Sequence, residues 1–196
     1  MRFPESLASA ISSSKLRKLS LNQSGYSVDF APLNVPGFFS AHAIDGRDKI
    51  NPNNKAVQAL ILSPTRELVQ QIKKQLFKFT KYNDSKIFCE GVYGGEKIDI
   101  QIRNIKRATH IIVATPGRLV DLIEKNCVDL SNIETLVLDE ADEMLSMGFK
   151  NDLTSILKTT KGSKNTWLFS ATMPEDLKAI VKRYIREDSV RLEINR

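Results

Sequence analysis

The chain holds 196 residues, 41% hydrophobic and 27% charged, with 29 Lys and Arg against 23 Asp and Glu for a net charge of +6. That suits one ordinary α/β domain; the chain is too apolar for a disordered polymer and lacks the roughly 20-residue apolar run of a membrane-spanning helix. Two cysteines (Cys89, Cys127) and two histidines (His42, His110), far apart, draw neither a zinc pattern nor a disulfide framework, and the start, Met1 to Ser6, has no apolar leader; the expectation is a cytoplasmic protein with reduced thiols.

The first 55 residues differ from the rest. Glu5 to Leu19 places Leu7, Ala10, Ile11, Leu16 and Leu19 as one face of an amphipathic helix. Asn22 to Asn54 is rich in Ser, Asn, Gly and Pro, with Val28 to Ala31 and Pro36 to Phe39 as candidate short strands and Asn51-Pro52-Asn53-Asn54 as a loop.

From Ala56 the chain alternates apolar and amphipathic runs. Ala59 to Leu62 reads as a buried parallel strand and Glu67 to Phe79 as a helix. Lys86 to Tyr93 reads as a strand halted by Gly94-Gly95, and Lys97 to Ala108 as a helix. Strand His110 to Ala114, helix Gly117 to Asn126 and strand Thr135 to Leu138 follow. Met144 and Met147 are expected to pack a helix on the sheet, Asp152 to Lys158 to be helical, Thr166 to Phe169 a strand, Glu175 to Ile185 a helix and Val190 to Ile194 a last strand. Such alternation is the mark of βαβ units and a mainly parallel sheet covered on both faces. The basic balance favours polyanionic partners, although Lys73, Lys74, Lys78 and Lys81 on one helix also read as a solvated face.

In parallel sheets ligands collect beyond the carboxyl ends of the strands, so the residues that follow each apolar run carry the most information. Leu136-Val137-Leu138 runs into Asp139-Glu140-Ala141-Asp142. Three carboxylates in four residues repel one another unless a cation such as Mg²⁺ sits among them; equally, they complement the dipole of a helix start. Ser170-Ala171-Thr172 offers two hydroxyls, either to a neighbouring carboxylate or as caps of the next helix. Thr115-Pro116-Gly117-Arg118 and Ser63-Pro64-Thr65-Arg66-Glu67 read as phosphate grips or as capped helix starts, and Gly94-Gly95 lets a ligand approach the backbone.

In this order and spacing, Pro64-Thr65-Arg66-Glu67-Leu68, Gly94-Gly95, Thr115-Pro116-Gly117-Arg118, Asp139-Glu140-Ala141-Asp142 and Ser170-Ala171-Thr172 closely resemble the blocks of the first RecA-like domain of DEAD-box ATP-dependent RNA helicases. The likeness covers roughly residues 56 to 194, after an atypical segment 1–55. It implies a three-layer RecA-like fold that binds ATP and Mg²⁺ between two such domains. It implies that Asp139 holds Mg²⁺ through water, that Glu140 orients or deprotonates the attacking water, and that Asp142 bonds toward Ser170 and Thr172, coupling nucleotide state to strand separation. Pro64, Thr65, Arg66, Gly94, Gly95, Thr115, Pro116, Gly117 and Arg118 would line the path of single-stranded or duplex RNA. Their contacts would go to phosphates and 2′-hydroxyls, with little sequence preference and no specificity for DNA.

The resemblance breaks upstream. The family's Gly-rich loop ending in Gly-Lys-Thr or Gly-Lys-Ser is missing; only Gly25, Gly37 and Gly46 precede Pro64, and none is followed by that pair. The adenine-reading glutamine segment is missing as well, although Phe3-Pro4-Glu5-Ser6-Leu7 resembles the family's opening. The second RecA-like domain would have to come from elsewhere. The expected consequence is impaired ATP turnover by this chain, with Val28-Asp29-Phe30 or Val35 to Phe39 filling the strand slot that feeds the loop. The alternative is a pseudo-helicase module that binds RNA or protein without catalysis.

Overall fold

A computed structural model describes residues 28–29, 50–80, 86–160, 164–185, 189 and 192–193. Four-residue apolar runs set the architecture. In chain order the elements are β1 (Val28–Asp29), β2 (Ala59–Leu62), α1 (Arg66–Thr80), β3 (Cys89–Val92), α2 (Ile98–Arg107), β4 (Ile111–Ala114), α3 (Pro116–Glu124), β5 (Thr135–Leu138), α4 (Ala141–Ser146), α5 (Lys150–Thr159), β6 (Asn165–Leu168), α6 (Glu175–Tyr184) and β7 (Leu192–Glu193).

Five strands form one all-parallel sheet in the order β3-β4-β2-β5-β6. Alternate residues point to opposite faces, so each strand feeds two cores. Ala59, Ile61, Ile111, Val113 and Val137 pack on Leu68, Val69, Ile72 and Leu76 of α1. Leu60, Leu62, Ile112, Ala114, Leu136 and Leu138 pack on the other face, against Ile105 of α2, Leu119 and Leu122 of α3, Met144 of α4, Leu153 and Ile156 of α5, and Leu177 and Ile180 of α6. The three-layer arrangement expected from the alternation is therefore present. Each fully buried Leu or Ile contributes about 1.5–3 kcal/mol through removal of apolar surface from water.

The boundaries follow exposure. β3 is shorter than the run from Lys86 to Tyr93, because Lys86 and Phe88 are exposed ahead of the paired residues. Met144 packs as expected, but Met147 caps the end of α4 and is 48% exposed, so it does not hold that helix on the sheet. β1 does not join the five strands: Val28 and Asp29 pair in parallel with Leu192 and Glu193 of β7. Glu5 to Leu19, Phe30 and Val35 to Phe39 lie outside the described residues.

Two buried polar side chains dock the 51–54 loop at the amino end of the sheet. Gln58 accepts from Asn51 N–H (2.7 Å) and donates to the carbonyls of Asn51 and Asn54 (both 2.9 Å). His110 accepts from Phe88 N–H through Nδ1 (2.9 Å), which leaves Nε2–H facing the Pro52 carbonyl at 3.3 Å. His110 is thus structural. Both cysteines are free, and burial pushes the Cys89 thiol up to about 12.

Candidate functional site

The register decides where the chemistry meets. Leu62 is the Cα partner of Ala114 on one side and of Leu138 on the other; Ala114 pairs with Val92, and Leu138 with Leu168. All five strands therefore end in one row. Side by side along that rim stand Gly94-Gly95, Thr115 to Arg118, Pro64 to Arg66, Asp139 to Asp142, and Ser170 to Thr172.

On the β5–β6 side the carboxylates and hydroxyls meet. Thr172 donates twice to Asp142 Oδ2, from its N–H (2.9 Å) and its hydroxyl (2.7 Å). Ser170 Oγ accepts from Asp142 N–H (3.2 Å) and donates to the Thr172 carbonyl (2.6 Å). Helix α6 starts after Pro174 with no side-chain cap, so neither hydroxyl is a helix cap. Burial pushes the Asp142 carboxyl up, yet the Thr172 hydroxyl bond, the nearby Ser170 hydroxyl and the Thr172 and Ala171 amides outweigh it and hold the group below its ordinary value.

The carboxylates just before it are different. Asp139 ends the strand, only 9% exposed, with its N–H donated to the Leu62 carbonyl (2.9 Å). Glu140 lies in the left-handed region (φ 50°, ψ 52°), a conformation that costs a non-glycine residue about 1–2 kcal/mol. This bend sends the chain straight into α4, where Ala141 N–H donates to the Phe169 carbonyl (3.0 Å). Burial raises the Glu140 carboxyl above its ordinary value, and the charges of Asp139, Glu143 and Asp142 raise it further. Such a cluster is short of positive charge. Among the described residues no three His, Cys, Asp or Glu side chains converge as direct metal ligands. The donor set fits an oxygen-seeking Mg²⁺ that keeps most of its waters and takes a single carboxylate from the protein.

On the β3–β4–β2 side the charge has the opposite sign. Thr65 caps α1, accepting from Leu68 N–H (3.2 Å), and Arg66 begins that helix at the surface. The Arg66 guanidinium lies 5.3 Å from the centroid of the Tyr93 ring, a cation–π contact. Gly95 turns with φ +83°, which favours glycine, and a Cβ there would crowd the tip of the Arg66 side chain (3.1 Å from Nη1). Thr115 precedes α3 without a side-chain cap bond, with Pro116 in the first turn. Pro64 and Pro116 are buried and shape the turns, whereas Gly94, Gly95 and Arg66 face solvent.

Arg118 is placed otherwise than a solvent-facing grip. Its side chain is 15% exposed; Nη1 donates to the Glu96 carbonyl (3.0 Å) and to Gln101 Oε1 (3.1 Å), and Nε lies 3.5 Å from Asp121 Oδ2. Nothing in the sequence marks Gln101 as one of these partners, because a glutamine inside an amphipathic helix looks like part of its wet face.

A family model for DEAD/DEAH box helicases matches residues 40–180. The RNA helicase CrhR of Synechocystis is 43% identical over 154 residues, 79% of this chain and 31% of that protein. The DEAD-box ATP-dependent RNA helicase CshA of Bacillus subtilis is 44% identical over 151 residues, 77% of this chain and 30% of CshA. The crystal structure of a DEAD box protein from the hyperthermophile Methanococcus jannaschii is similar with a TM-score of 0.76 at 32% identity, over 88% of this chain and 46% of that one. The chain spans about a third of the length of the curated relatives it matches.

Proposed function

The chain belongs to the DEAD/DEAH box helicase family, and on that premise we propose that residues 56–196 are the first RecA-like half of an ATP-dependent RNA-remodelling machine working in the cytoplasm. Residues 1–55 are an atypical segment standing in place of the usual nucleotide motifs, and ATP turnover by these 196 residues alone is impaired. The observation that carries this reading is the pair of bonds from Thr172 to Asp142, which ties the acidic end of β5 to the hydroxyl-bearing end of β6.

When bound, Mg²⁺–ATP supplies the phosphoryl group and the metal charge that stabilises its transfer. Asp139 would hold the ion through water. Glu140, kept more basic than an ordinary carboxylate by burial and by its acidic neighbours, would orient the attacking water and take its proton. Asp142, Ser170 and Thr172 transmit the state of that site along the rim. Arg66 and the turns at Gly94-Gly95 and Thr115-Pro116-Gly117 meet RNA phosphates and 2′-hydroxyls, so binding is nearly indifferent to sequence. A second RecA-like domain completes the site; the greater length of the relatives supports such a partner.

A non-catalytic RNA-binding module is favoured by one observation, the lack of any Gly-Lys-Ser or Gly-Lys-Thr loop ahead of Pro64. Fluorescence anisotropy of a labelled single-stranded RNA, titrated at rising salt with and without Mg²⁺–ATP, separates the readings. Both expect salt-dependent binding weakened by Arg66→Ala; only the helicase reading expects Mg²⁺–ATP to alter affinity once a second RecA-like half is supplied. Absent or salt-insensitive binding sinks both.

A further inference from the structure

We propose that Gln101, which lies outside every recognisable motif, is the positioning residue that locks the Gly94-Gly95 turn to the start of α3 and so sets the RNA-facing geometry of that side of the rim. The inference rests on the RNA-binding reading of the rim. Gln101 is fully buried, and its amide is committed on both sides. Nε2 donates to the Tyr93 carbonyl (2.9 Å) and to Glu96 Oε2 (3.0 Å), while Oε1 accepts from Arg118 Nη1 (3.1 Å). Turning the amide over would set its NH₂ against the guanidinium and its oxygen against the Tyr93 carbonyl, so only one orientation works.

These bonds close a ring. Tyr93 and Glu96 flank the two glycines, and Arg118 reaches back from α3 to the Glu96 carbonyl (3.0 Å). Gly94 has no heavy atom within 4 Å of a would-be Cβ, and Gly95 has only Arg66 there, so packing does not fix this turn. The hydrogen bonds at its two shoulders do. Tyr93 also carries Arg66 on its ring, so the same anchor fixes a second cation of the surface. Arg118 on this account acts on RNA through the loop it holds, as a partner of Gln101.

The test uses the 196-residue chain with Gln101→Met, which keeps volume and removes all three bonds, Arg118→Ala, and the double variant. Hydrogen exchange is expected to quicken at residues 93–97 and 115–118 in Gln101→Met, with the rest of the sheet unchanged. Affinity for a labelled single-stranded RNA is expected to fall about tenfold, a typical hydrogen-bond effect expressed as binding, and the double variant to bind no worse than the weaker single. Unchanged exchange at those residues overturns the proposal, as does quickening spread evenly over the chain. Additive losses with a salt slope lowered by about 0.7 for Arg118→Ala alone mean that Arg118 touches a phosphate itself, which also overturns it. If the wild-type chain binds no RNA, the RNA reading falls, while the exchange pattern still decides whether Gln101 holds the loop.

Discussion

On the β3–β4–β2 side of the rim, Arg66 lies on a neutral tyrosine ring with no ion pair among the described residues, whereas Arg118 is held by a carbonyl, an amide and the Asp121 carboxylate (3.5 Å), so the uncompensated positive charge is that of Arg66. On the β5–β6 side, the Asp142 carboxylate is held by hydroxyls and amides, and Glu140 stays crowded by its own sign. One sheet edge thus carries a cationic half and an anionic half, with the boundary between β2 and β5. On the proposed reading, Arg66 draws its counter-charge from a polyanion and the acidic cluster draws its own from a metal ion. The five strands supply register and rigidity; the difference lies entirely in five short loops.

Breaking the anionic half gives the largest expected effect. Asp142→Ala removes two charge-assisted bonds, and with Thr172 exposed its amide passes to water, so the cost is about 1–2 kcal/mol in urea denaturation. The sign with pH follows from the depressed carboxyl: its stabilisation is complete above the ordinary value of 3.8 and is lost as pH falls through the lower folded-state value. The gap between wild type and variant should therefore hold at neutral pH and close in strong acid. RNA affinity without nucleotide should stay near that of the wild type, since the link lies on the other half.

Gly95→Ala strikes the cationic half. It forces a side chain to φ +83° and against Arg66, costing about 1 kcal/mol or slightly more; calorimetry should show a lower Tm, accompanied by weaker RNA binding. Tyr93→Leu is milder, about 0.5–1 kcal/mol for the lost cation–π contact, and anisotropy should show a few-fold loss of RNA affinity. Lys73→Ala sets the floor: its ion pair with Glu90 (3.1 Å) is partly exposed, so urea denaturation should register well under about 1 kcal/mol, and RNA affinity should move less than in Tyr93→Leu.

What the sequence could tell depended on burial. Ala59–Leu62, Ile111–Ala114 and Thr135–Leu138 are apolar at nearly every position because both faces of those strands are covered, and such runs are legible one residue at a time. Met147 misled, because α4 ends there and turns it to solvent. The acidic and hydroxyl motifs were visible as strings, but whether Ser170 and Thr172 cap a helix or bind a carboxylate depended on β6 lying beside β5. The division of the rim was hidden for the same reason: the order β3-β4-β2-β5-β6 is not the chain order. Gln101 and the inward reach of Arg118 belong to tertiary structure alone, since nothing in α2 marks one polar residue as buried.

ATP hydrolysis in a coupled assay with saturating RNA, comparing the wild-type chain with Glu140→Gln, bears on the account more directly than any stability measurement. Turnover indistinguishable between the two, at background, is the expected result for a domain whose anionic rim is formed but which has no phosphate loop of its own. Brisk hydrolysis abolished by Glu140→Gln would contradict it, because these 196 residues would then be cradling the nucleotide by themselves.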